Sequence, residues 1–170
     1  MPLRFSHAGD FHLDEDRYFP DTAQCLEWFF ADAIRASVDF FVINGDLTTY
    51  KATIKERNFW IDGLVEMANH APVILVAGNH GAELEGDLYV FGRARGTHPI
   101  YVCTEPAFVE LGEAAGAVFP YRGTPGGTAE GLGPAQSGPG GADGGVGEEG
   151  TGPLRVRGSR CAGAGFTTRN

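Results

Sequence analysis

The chain has no histidine beyond His98, so any imidazole chemistry must be carried by His7, His12, His70, His80 or His98. Cysteine is scarce. Cys25, Cys103 and Cys161 make an odd set with no CxxC pair, which excludes a disulfide framework or a cysteine zinc ribbon and is consistent with reduced, structural thiols. Long apolar runs are also lacking: Val73 to Ala77 is far too short to span a bilayer. The N-terminus, Met1-Pro2-Leu3-Arg4, reaches a charged cluster by Asp14 without an apolar signal segment, so the expected location is cytoplasmic, with no membrane partner. Basic charge is in short supply. The net charge of −9 argues against a broad nucleic-acid-binding surface, while leaving room for a local basic channel or a DNA-binding partner.

The deficit of large apolar residues is confined to one end. Of 26 glycines, eight fall in residues 1–111, which leaves 18 for the last 59 residues, where only seven Leu, Ile, Val or Phe occur. A segment below roughly a fifth of such residues buries too little to offset its ordering entropy. The chain therefore divides into a globular part, 1–111, and a low-order Gly/Ala/Pro/Arg-rich tail, 112–170, expected to be mostly disordered. The tail has arginine but no lysine, as GC-rich codons would encode. We read it as out-of-frame translation, in preference to a native flexible extension. Reading the other two frames of the coding DNA after codon 111 is expected to show an open frame with a later His-x-His cluster; closed frames would remove the idea.

What is present is regular. Leu3 to Ala8 reads as a strand, Asp39 to Asn44 and Pro72 to Ala77 as buried strands, and two amphipathic helices lie between them. The first helix is expected to open at Asp21, with Gln24 completing a capping box, to present Leu26, Phe29, Phe30, Ala33 and Ile34, and to end near Ser37. The second starts near Thr53 with Glu56 as its capping partner and an apolar stripe of Ile54, Ile61, Leu64, Val65 and Ala68. Trp28, Phe30, Phe59 and Trp60 fall in helical patterns and read as core. Leu88 to Phe91 suggests a helical turn. Ile100 to Cys103 and Ala107 to Leu111 suggest two further strands. The order βαβαβ predicts a parallel α/β sheet, whose ligand sites lie outside the carboxyl ends of the strands.

Three motifs sit at those ends: Asp10-Phe11-His12, Gly45-Asp46 and Gly78-Asn79-His80. In an extended segment Asp10 and His12 would share a side and reach one ion. Asp46 follows a glycine that permits a tight turn, and its two oxygens could bridge two ions. Asn79 offers an amide oxygen, and His80 could protonate or hydrogen-bond a reacting phosphate. Singly, each has a bland reading as chance, turn or helix cap. In order, each after a strand, they describe part of a two-metal hydrolytic centre, in which ions about 3.5–4 Å apart take carboxylate, imidazole and amide ligands. Manganese, iron, zinc and magnesium all suit that donor set. His7 reads as structural, and His70 and His98 as a helix end and a loop. Tyr50 and Lys51 follow the Asp46 loop and could meet a substrate phosphate, although an exposed loop is the default.

Over about residues 3–111 the chain resembles the calcineurin-like metallophosphoesterases, on the D-x-H, G-D and G-N-H motifs. Ser6-His7-Ala8-Gly9-Asp10-Phe11-His12-Leu13 is most similar to the nuclease subunit of double-strand-break repair complexes. The resemblance implies an α/β/β/α sandwich, here partial and lacking most of its second sheet. It implies two divalent ions, manganese foremost, with Asp10 and His12 on the first, Asp46 bridging, Asn79 on the second, and His80 as the catalytic histidine. Two features depart from the family: Gly81 replaces the usual acidic residue after G-N-H, and the later histidine ligands are absent. A site with half its ligands is expected to bind metal weakly. The functions implied are a metal-dependent phosphoesterase of phosphodiester or DNA nuclease type; alternatively a phosphomonoesterase or small-molecule phosphodiesterase; or a non-catalytic fragment serving as a protein-partner surface.

Overall fold

The computed structural model describes residues 3–80, 88–111, 114–118, 154–157 and 161–162. Four parallel strands make the main sheet: β1 (Phe5–Gly9), β2 (Phe40–Asn44), β3 (Val73–Val76) and β4 (Ile100–Cys103), in that spatial order, with the two-residue β8 (Cys161–Ala162) antiparallel on the far side of β4. Helices α1 (Phe19–Arg35) and α2 (Ile54–Ala68) make the crossovers, and the short α3 (Leu88–Phe91) precedes β4. Adjacent register places Gly9 beside Asn44 and Asn44 beside Val76, so the first three strands end on one edge.

The strands explain their own apolar runs. Phe41, Ile43, Val73, Leu75, Ile100 and Val102 face the helices and join their core. Phe40, Val42, Ile74, Val76 and Cys103 alternate with them and form a second cluster on the opposite face. Two buried faces on a period of two leave no polar position, hence the near-continuous hydrophobic sequence. Tyr101 packs against the second cluster, and burial pushes its phenol above the usual value. Cys25 is an exposed thiol and Cys103 a buried one.

The helices differ from expectation in detail. α1 begins at Phe19, two residues before Asp21, with Pro20 in its first turn, where a missing N–H costs nothing. Its N-cap is Tyr18 in the left-handed region with no side-chain cap bond, so the Asp21–Gln24 capping box does not form; Asp21 lies inside the first turn, where its charge suits the helix dipole. α2 carries the capping box at Thr53 and Glu56, with contacts of 2.8 and 3.2 Å. Its buried stripe is Glu56, Trp60, Gly63, Leu64, Met67 and Ala68, not one beginning at Ile54, which is 76% exposed at the helix start. Trp60 is wholly buried as expected, but Trp28 projects from the outer face of α1 into solvent. Glu56 has a double use. One carboxylate oxygen accepts from Thr53 N–H, and the other from Glu15 N–H at 2.5 Å, which ties the start of α2 to the loop after His12.

A second, three-stranded antiparallel sheet has β5 (Ala107–Leu111) at its centre, flanked by β6 (Ala114–Val118) and β7 (Leu154–Arg157). β5 was legible; β6 and β7 come from the glycine-rich stretch. Its average composition hides short strand patterns such as the alternating Leu154-Arg155-Val156-Arg157. The rest of the expected low-order tail lies outside the described residues. Among the described residues no helix is long and apolar enough to cross a membrane.

Candidate metal centre

The loops leaving β1 and β2 do not diverge. Phe11 and His12 N–H both donate to Asp46 O, at 3.0 and 2.9 Å, and Leu13 N–H donates to Leu47 O at 3.0 Å. An isolated parallel bridge joins Leu13 to Thr48. The ladder of the sheet therefore continues past the strands and carries Asp10, His12 and Asp46 with it. Phe11 turns inward between Asp10 and His12. Its ring meets Trp60 edge-on at 5.0 Å, and Trp60 Nε1–H donates to Leu47 O at 3.1 Å. One buried indole thus supports both loops.

The Asp10–His12 segment is not extended, as the spacing suggested. Asp10 and His12 have φ of 64° and 49°, and Asp46 has 50°. These are left-handed conformations that cost an L-residue about 1–2 kcal/mol, and such residues concentrate where function over-determines the backbone. The side chains of Asp10 and His12 nonetheless converge, with His12 Nε2 at 2.9 Å from Asp10 Oδ1.

The third loop joins through Asp46. Its Oδ1 accepts from Asn79 N–H and His80 N–H, both at 2.8 Å. Two glycines allow this approach. A Cβ at Gly78 would run into the Asp46 carboxylate, and one at Gly45 would run into the Gly78 backbone. The His80 ring then stands edge-on to His12 at 5.0 Å between centroids.

Asp10, His12, Asp46 and the Asn79–His80 backbone thus meet on one edge. Asp10, His12 and Asp46 each offer a donor atom within 4.8 Å of the others. Ligands bound at 2.0–2.2 Å lie up to about 4.2 Å apart across a shared ion, so a small contraction suffices, and two carboxylates with an imidazole form a donor set for a divalent cation. Asn79 and His80 are brought to the cluster through their backbone. The Asp10 side chain is 83% exposed, which leaves the centre open to water and substrate.

The remaining histidines take other places. His7 is an exposed β1 residue with Nε2 2.6 Å from Asn44 Nδ2. His70 follows α2, and His98 lies in the loop before β4. Sequence reasoning missed the supporting residues: Thr49, whose hydroxyl donates to His12 O at 3.1 Å, and Gly78. Gly78 stood in a motif already; nothing in the sequence marked Thr49.

A parallel sheet with a carboxylate–imidazole cluster at its carboxyl edge makes a candidate divalent-metal site on an α/β fold. The chain belongs to the calcineurin-like phosphoesterase family, whose sequence model matches residues 3–125. No curated protein matched it.

Proposed function

We propose that the centre hydrolyses phosphodiesters of the kind found in DNA, with manganese as its metal. The carrying observation is the Asp10, His12 and Asp46 donor cluster, to which Asn79 and His80 are fastened. The similarity of Ser6 to Leu13 to a nuclease subunit supports the diester over the monoester.

Asp10 and His12 would hold one ion. Asp46, whose Oδ1 also fastens the Asn79 and His80 N–H groups, would be shared between the two ions, and the Asn79 amide would serve the second. Bound divalent ions supply Lewis-acid polarisation and charge neutralisation. His80 is exposed and fixed by its own backbone N–H. Its imidazole hydrogen-bonds a phosphoryl oxygen or delivers a proton to the departing alkoxide.

The test is manganese-dependent turnover of bis(p-nitrophenyl) phosphate against p-nitrophenyl phosphate, followed by linear duplex DNA. Faster diester cleavage that chelator abolishes is the expected result. A preference for the monoester would move the reading to a phosphomonoesterase. No turnover at any metal concentration would leave a non-catalytic, partner-binding fragment.

A further inference from the structure

The loop after Asp46 carries a tyrosine that the chemistry above does not use. Thr48 is wholly buried and bridged to Leu13, and its hydroxyl donates to Tyr50 O at 2.7 Å. Thr49 adds a backbone bond to Leu13 O at 3.3 Å and its hydroxyl bond to His12 O. The backbone entering Tyr50 is therefore held by the same stretch of chain that presents Asp10 and His12. Yet Tyr50 as a residue is 68% exposed. Tyr18 is as solvent-facing, at 79%, but it sits at the start of α1, and its carbonyl accepts from Thr22 N–H within that helix.

An aromatic ring in water on an anchored backbone gains little for the fold, but it loses little freedom when a flat partner stacks on it. Tyr50 lies four residues beyond Asp46, so their Cα atoms are at most about 14 Å apart even in a fully extended chain. The loop's tie to His12 holds it beside the cluster. The organic group of a phosphodiester held at the cluster would fall within the same radius when it projects toward this loop.

We propose that Tyr50 is a specificity residue that stacks on the nucleobase adjoining the bound phosphate. The inference rests on the phosphodiester reading above and adds the part of the substrate that reading leaves unaddressed. Stacking on a π-face is tolerant of base identity, so Tyr50 selects nucleotides over simple phosphates without selecting sequence.

Calorimetric titration of the full chain with manganese separates the possibilities, using thymidine 5′-monophosphate and inorganic phosphate as probes. Both offer a phosphate; only one offers a ring. Tyr50→Ala is expected to weaken the nucleotide by roughly 5- to 100-fold and to leave phosphate within about twofold. Tyr50→Phe should retain nucleotide affinity, and Tyr18→Ala should change neither. An equal loss for both probes would make Tyr50 a prop for the loop, and no loss for the nucleotide would remove its role; either result overturns the proposal. If the wild-type chain binds both probes and Tyr50→Ala matters for neither, only the stacking role fails. If it binds neither, the phosphoester reading fails and the stacking role goes with it.

Discussion

Asp46→Ala is expected to lower manganese affinity by at least about 100-fold and to abolish measurable turnover. Outer partners of metal ligands already cost 10- to 100-fold when removed, and Asp46 is both a donor of the cluster and the clamp on the Asn79 and His80 backbone. The fold should survive, because the backbone carbonyl of residue 46, not its side chain, accepts from Phe11 and His12. Two hydrogen bonds to a charged group are together worth about 3 kcal/mol or more, reduced here because the group is partly exposed. Asp46→Asn keeps an oxygen for those two N–H groups but not the charge, so it should regain stability without regaining the metal. Calorimetric titration beside urea unfolding reads both effects. Wild-type affinity in Asp46→Ala would remove residue 46 from the centre.

Trp60→Ala is expected to destabilise the chain by about 3–5 kcal/mol, the usual range for a buried aromatic truncated to alanine. Trp60 is wholly buried, contacts Phe11, Phe30 and Phe59 edge-on, and donates its indole N–H to Leu47 O. Trp60→Phe removes the hydrogen bond together with part of the buried ring, with an expected cost of at least about 1–2 kcal/mol, and it should weaken metal binding as well, since Phe11 and Leu47 adjoin Asp10, His12 and Asp46. Urea midpoints with unchanged slopes would report stability directly. An alanine variant within about 1 kcal/mol of wild type would show that the core closes without the indole, and the proposed support of the two loops would then be wrong.

The strands were legible because β2 and β3 are buried on both faces, and a short unbroken apolar run between turn residues suits a covered strand better than a helix. The start of α2 was legible because Thr53 and Glu56 form a local contact that sequence alone records. The start of α1 was not. Asp21 and Gln24 have the right types, but Pro20 and a left-handed Tyr18 set the boundary earlier, and no residue type announces that backbone state. Ile54 and Trp28 misled for a related reason: periodicity gives a face, and tertiary packing decides which face is used. In the candidate site, the motifs supplied the residues to look for and the strand ends supplied their common edge. The way they meet was hidden, because it runs through backbone N–H groups and the carbonyl of Asp46, to which side-chain identity is blind.

The left-handed backbone at Asp10, His12 and Asp46 sets folding against ligand identity. At Asp10, the most exposed of the three, glycine would relieve that strain at little cost in buried surface. A lineage relieved of the need for cations would therefore gain robustness by losing its own signature first. Decay of such a motif would begin at the metal ligands, while the hydrophobic sheet beneath stayed intact.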